Sequence, residues 1–146
     1  MVEECMARAR RLYKVSEDAL TFKPGPHIMI QADADEVRAA VSNLIDNAVK
    51  YSGTNPRVRV ETLTLDGNFV AVRVKDNGPG VPEAERKQIF KRFYRMPGPT
   101  ATRVKGTGLG LFIVRSVAKR HGGKAWVESD GPGKGSTFVL QLPITR

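Results

Sequence analysis

The sequence predicts an α+β two-layer sandwich, with one mostly antiparallel sheet under about three main helices. Three observations carry that expectation. Residues 2–13, 33–51 and 107–120 space their apolar side chains as helices do, and the stretches between them alternate apolar and polar side chains as strands do. The alternating stretches are mostly joined by short turns, which brings neighbours together antiparallel. The chain has 146 residues, 40% hydrophobic and 27% charged, enough for one compact core.

The elements follow in order. Val2, Cys5, Met6, Ala9, Leu12 and Tyr13 make the apolar stripe of an amphipathic helix. Short strand-like pieces come next at residues 19–22 and 27–30, with Pro24-Gly25-Pro26 as the turn between them. Asp33 and Glu36 read as a capping box opening a helix that runs to about Tyr51 and stops at Ser52-Gly53. Residues 57–65 and 69–75 alternate as strands around a hairpin turn at Asp66-Gly67-Asn68. Pro82 suits the first turn of a short helix ending near Phe90. Residues 94–106 are rich in Pro, Gly and basic side chains without a period, which reads as a mobile loop. A helix from about Thr107 to Arg120 is closed by His121-Gly122-Gly123. Strands at residues 124–128 and 137–142 flank a Gly-Pro-Gly-Lys-Gly turn. With no internal repeat or linker, residues 1–146 read as a single domain.

Composition narrows the function. No apolar run approaches the roughly 20 residues of a membrane-spanning helix, and the N-terminus has no apolar targeting core. Cys5 is the one cysteine, so no intrachain disulfide forms and a reducing compartment is the default. The net charge is +9, which draws anions. Between Glu83 and Lys105 seven basic residues face two acidic ones, beside a glycine-rich turn. That placement suits a phosphate pocket better than a nucleic-acid face, and no nucleic-acid motif is present. Plain solvated surface is the competing reading for any one of these charges.

In the helix to Tyr51, the residues Asn43, Asn47, Lys50 and Tyr51 fall on one face, beside an apolar face of Val37, Val41, Leu44, Ile45 and Ala48. A polar stripe is usually a helix's solvent side; it is also what a ligand edge looks like. An asparagine carbonyl suits a magnesium ion that takes its other ligands from phosphates and water. A lysine one turn on can neutralise a phosphate, and a tyrosine can cover a flat base. Asp76-Asn77-Gly78-Pro79-Gly80 follows a strand directly; its glycines permit a tight turn and close approach, and Asp76 could accept a bond from an exocyclic amine. An ordinary Asn-Gly turn is the alternative. Gly106-Thr107-Gly108-Leu109-Gly110-Leu111 opens the last helix, where free amides without side chains make a phosphate cradle; a simple capped helix start is the alternative. Gly131-Pro132-Gly133-Lys134-Gly135-Ser136-Thr137 is not a P-loop, because the lysine precedes the last glycine and a strand follows; Thr137 is expected near the pocket.

The order and spacing of these pieces are more specific than any one of them. Asn43-x3-Asn47-Ala48-x-Lys50-Tyr51-Ser52, Asp76-x-Gly78-x-Gly80, Phe90-x-x-Phe93-Tyr94-Arg95, Gly106-Thr107-Gly108-Leu109-Gly110-Leu111 and Gly135-Ser136-Thr137-Phe138 together resemble the catalytic, ATP-binding domain of bacterial sensor histidine kinases. The resemblance covers nearly the whole chain. It implies the Bergerat ATP-binding fold of the superfamily that includes gyrase-type topoisomerases, large heat-shock chaperones and mismatch-repair ATPases: a mixed five-stranded sheet with helices on one face.

The resemblance also implies roles. Asn47 would hold Mg2+; Lys50 and Tyr51 would touch phosphate and adenine; Asp76 would read the adenine amine; Arg95 would reach the phosphates. Asn43, Gly78, Gly80, Ile89, Phe93, Lys105, Gly106, Thr107, Gly108, Leu109, Gly110, Leu111 and Thr137 would complete the ATP site. Asn47, Lys50 and Arg95 would be the residues assisting transfer. Lys105 stands where another glycine is common in the family. No His-Glu/Asp-Leu-Arg/Lys segment occurs, so the γ-phosphate is expected to pass to a histidine on a separate dimerisation domain, with a response regulator downstream. His27 and His121 read as structural or surface residues. A water-activating ATPase of the superfamily usually has glutamate where this chain has Asn43, and asparagine is a poor base. An anti-sigma-type serine kinase shares the fold and is the other rival. The domain is expected to be monomeric alone, to lie on the cytoplasmic side of a membrane-anchored sensor, and not to phosphorylate itself.

Overall fold

The structure is a computed structural model, and it describes residues 1–95 and 108–144. Helix α1 spans Val2–Tyr13, with Glu3 and Glu4 in its first turn and Arg10 and Arg11 in its last, each complementing the helix dipole. Strand β1 is Leu20–Lys23 and helix α2 is Ala34–Tyr51. Strands β2 (Val58–Leu65) and β3 (Phe69–Asp76) form the expected hairpin. Its turn puts both Asp66 and Gly67 at left-handed φ, the geometry that matches strand twist. Helix α3 is Gly110–Arg120, and β4 (Lys124–Glu128) and β5 (Ser136–Pro143) finish the chain.

The five strands lie in the order β1-β2-β3-β5-β4. Only β1 and β2 run parallel; the other pairs are antiparallel, so the sheet is mixed and mostly antiparallel as expected. Period-two alternation sends Val60, Val74, Phe138, Leu140 and Val127 to one face, where all are buried. Against them lie Val41, Leu44, Ile45 and Ala48 of α2 and Val114, Val117 and Ala118 of α3. Helix α1 covers α2 from outside through Cys5, Met6 and Ala9.

The ends of α2 and α3 are tied together. Asp33 Oδ1 accepts from the Glu36 amide at 3.1 Å, which is half of a capping box. The other half is missing, because the Glu36 carboxylate pairs with Arg120 instead. The Asp33 amide donates to His121 Nε2 at 3.0 Å, while His121 Nδ1 lies 2.8 Å from the Val117 carbonyl. Those two contacts assign the ring proton to Nδ1 and give His121 a structural role.

Three expectations need correction. Residues 27–30 form no strand, although Ile30 packs against the core: Pro24 and Pro26 lack donors, and Met29 is 76% exposed. The segment after Pro82 is two 3-10 turns, Glu83–Glu85 and Gln88–Phe90, in place of a helix. Helix α3 starts at Gly110, after Gly108 at positive φ. The loop expected at 94–106 lies, apart from Tyr94 and Arg95, outside the described residues.

Leu44 is fully buried between sheet and helices. Leu44→Ala is expected to cost about 3 kcal/mol in denaturant unfolding, while Met29→Ala stays within about 0.5 kcal/mol of the parent.

Candidate functional site

Helix α2 has two working faces, and the polar one borders a cavity of about 220 Å³ formed by described residues. Asn43, Asp46, Asn47, Lys50 and Tyr51 line it from α2. Pro79, Gly80 and Val81 line it from the turn after β3, with Asp76 at the strand end. Ile89 borders it from the second 3-10 turn, Tyr94 and Arg95 from the segment after it, and Gly108, Gly110 and Leu111 from the start of α3. Ser136 and Phe138 enter from β5.

The turn after β3 is fastened on both sides. Asn77 Oδ1 accepts from the Arg57 amide at 2.9 Å, and its amide group donates to the Asn55 carbonyl at 3.1 Å. On the other side the Gly133 and Gly135 amides donate to the carbonyls of Pro79 (2.8 Å) and Gly78 (3.1 Å). Arg86 donates to the carbonyls of Val81 and Ser129 and so ties the two loops together. Gly80 has φ +83, and a Cβ there would stand 2.6 Å from the Gly131 carbonyl oxygen, so only glycine fits.

Asp76 is the site's buried acid, 5% exposed. Its Oδ1 accepts from the Gly78 amide at 2.8 Å. Burial pushes its pKa up to about 6, while backbone bonds from Gly78 and Ser136 pull the other way. At the opposite end, α3 begins without a side-chain cap and without acidic residues in its first turn. Its positive end faces Asn43, whose side-chain oxygen is 3.7 Å from where a Gly110 Cβ would stand. The cavity thus has an acceptor at Asp76 and an anion-favouring helix start at Gly110, with Lys50 on its α2 wall. Gly108 has φ +76, and a Cβ there would come within 2.9 Å of the Phe93 backbone, whose amide donates to the Gly108 carbonyl at 3.0 Å. Tyr94 is held at the cavity edge by its hydroxyl donating to Glu85.

The structure therefore brings together Asn43, Asn47, Lys50, Tyr51, Asp76, Gly80, Ile89, Arg95, Gly108, Gly110 and Leu111. Gly78 is not among the lining residues; its amide anchors Asp76. Phe93 does not line it and is 64% exposed. Leu109 precedes α3 as its N-cap residue and is not among the lining residues. Thr137 corrects an expectation: alternation along β5 sends Ser136 and Phe138 to the cavity and Thr137 to the opposite sheet face, beside Arg59 and Lys75. Lys105, Gly106 and Thr107 lie outside the described residues. Asp46, Pro79, Val81, Tyr94, Ser136 and Phe138 also line the cavity and are not among the expected site residues; helical spacing from Lys50 reaches Asp46, and the other five lie within or beside the glycine and phenylalanine motifs.

Comparison with known proteins agrees with this geometry. Residues 32–146 match the family described as histidine kinase-, DNA gyrase B-, and HSP90-like ATPase. The chain is 43% identical over 117 residues to the signal transduction histidine-protein kinase/phosphatase MprB of Mycobacterium sp. (strain KMS), covering 78% of this chain and 22% of that protein. It is 38% identical over 117 residues to the adaptive-response sensory kinase SasA of Synechococcus sp. (strain JA-2-3B'a(2-13)), covering 80% of this chain and 30% of that one. The chain thus spans less than a third of the length of these curated relatives. Among solved structures, a mycobacterial sensor histidine kinase MprB superposes with TM-score 0.82 at 30% identity, covering 97% of this chain and 91% of that one. The ATP-binding domain of PrrB from Mycobacterium tuberculosis superposes with TM-score 0.75 at 31% identity, covering 99% and 92%.

Asp76 has a folded pKa above its ordinary 3.8, so the folded state prefers it protonated. The stability this contributes is full below pH 3.8 and is lost as pH rises through about 6. Asp76→Asn is therefore expected to raise the melting temperature at pH 8, with the gain vanishing toward pH 4. A variant equally less stable at both pH values would contradict it.

Proposed function

The chain belongs to the histidine kinase-, DNA gyrase B-, and HSP90-like ATPase family, and from that premise we propose that it is the ATP-binding catalytic domain of a sensor histidine kinase. Its substrate is Mg-ATP, and its acceptor is a histidine on a separate dimerisation domain. The observation that carries this reading is the single cavity that joins buried Asp76 and the start of α3, with Lys50 on its α2 wall.

In this reading the adenine amine donates to Asp76, and Tyr51 covers the base. The phosphates run toward Lys50, Arg95 and the α3 amides. Among the described residues no group of three His, Cys, Asp or Glu could hold a metal ion by itself. That fits magnesium, which keeps waters and phosphate oxygens and takes few protein ligands; Asn47 would supply one oxygen. The ion's contribution would be to neutralise charge between the phosphates. The acceptor imidazole nitrogen attacks the γ-phosphorus, the bond to the β-bridging oxygen breaks, and ADP leaves with that electron pair. The protein supplies position and charge and forms no covalent bond.

Transfer is favoured over hydrolysis by the bases available. Asn43 cannot activate water. Asp46 is the second carboxylate on the cavity wall, and it is paired with Arg8. No helix among the described residues is long and apolar enough to cross a membrane. Placement on the cytoplasmic side of an anchored sensor, and a response regulator downstream, complete the proposal and rest on the motif resemblance alone.

Two outcomes test it. Incubated with Mg-ATP and a histidine-bearing dimerisation domain, the chain should yield an acid-labile, base-stable phosphate on that domain. Acid-stable phosphate, or rapid multiple-turnover hydrolysis by the chain alone, would point to a serine kinase or an ATPase. Separately, Asn47→Ala should lose most of the magnesium dependence of ATP binding in calorimetry; equal magnesium dependence in both proteins would remove Asn47 from the metal role.

A further inference from the structure

Asp46 stands on the seam between the two surfaces of α2. On one side it lines the cavity beside Asn47 and Lys50. On the other it meets α1, where Arg8 Nη1 donates to Asp46 Oδ1 at 3.0 Å. The Asp46 side chain is 17% exposed, so its charge is only partly screened by solvent. Tyr13, the last residue of α1, is also close to Asp46. Burial first, then the Asp46 charge, push its hydroxyl up to about 12, so it stays neutral beside the carboxylate. Asp46 in turn holds Arg8 more firmly charged. Arg8 is thus the cation that answers Asp46 from α1, a helix that precedes the family-matched span of residues 32–146.

A carboxylate on the wall of a cavity that takes phosphates is an electrostatic contradiction unless its charge is answered. We propose that α1 is part of the nucleotide site: Arg8 neutralises Asp46 at the cavity wall, so the seating of α1 sets the affinity for the phosphate chain. Arg8 is a positioning residue, acting on the ligand through Asp46. The inference rests on the nucleotide reading above and adds a control to it. A shift of α1 that opens the Arg8–Asp46 contact uncovers a negative charge beside the phosphates and weakens ATP binding, without touching the adenine end.

The test is calorimetric titration of the full chain with the magnesium complex of a non-hydrolysable ATP analogue, then Mg-ADP, then adenosine. Arg8→Gln is expected to weaken the triphosphate about fivefold at about 50 mM salt, with the deficit shrinking at about 500 mM. The deficit should be smaller for ADP and absent for adenosine. The double variant Arg8→Gln/Asp46→Asn should return to within about twofold of the parent, because the uncovered charge is gone. Arg8→Lys, which keeps the charge, should also stay near the parent. Adenosine weakened as much as the triphosphate, or a double variant that stays weak, would mean that Arg8 only holds α1 in place and would overturn the inference. Unchanged binding by Arg8→Gln would overturn it while leaving the nucleotide reading intact. A parent chain that bound no adenine nucleotide at all would overturn both.

Discussion

The structure depends on α2 doing two things at once. One stripe of it, through Val41, Leu44, Ile45 and Ala48, is core. The adjoining stripe, from Asn43 through Asn47 to Tyr51, is cavity wall. Because 3.6 residues make a turn, Asn43, Asp46, Asn47 and Lys50 each sit next to a core residue in sequence, so the packing of the apolar stripe fixes the rotation of the polar one. The cap at Asp33 and the ties to Arg120 and His121 set where the helix starts and hold it against α3. The other wall of the cavity comes from the start of that same α3.

Opposite α2, the turn after β3 owes its shape to bonds made with the loop before β5. Asp76 stays buried because backbone amides answer part of its charge, yet the remaining burial still raises its pKa. That group is costly for folding, and it is the kind of group a protein keeps for recognition. The cavity is consequently polarised, with an acceptor at Asp76 and the amide end of α3 opposite. Asp46 is a second carboxylate on the cavity wall, and Arg8 pairs with it from outside the family-matched span.

Much of this was legible in the sequence, and the gaps have physical reasons. Helices α1 and α2 and strand β4 matched their expected bounds to within a residue, because apolar periodicity, the Asp33 cap and the stop at Ser52-Gly53 are local signals. Residues 27–30 misled because alternation alone does not supply a partner strand. The stretch after Pro82 misled because its length allowed a helix, while Arg86 and Tyr94 fasten it into shorter turns. In the site, Thr137 was assigned by proximity in the motif, and strand parity placed it on the other face. Asp46 lies at helical spacing from Lys50, but its pairing with Arg8, 38 positions away, is something no local pattern reports.

The central claim is that a nucleotide sits between α2, the turn after β3 and the start of α3. Backbone amide resonances followed during titration with Mg-ATP test it most directly. Shifts should concentrate at Asn47–Tyr51, at Gly78, Gly80 and Val81, and at Gly108–Leu111, while Arg59, Arg73 and Lys75 on the opposite sheet face stay in place. Saturating shifts centred on that opposite face, or none at the three cavity segments, would contradict it.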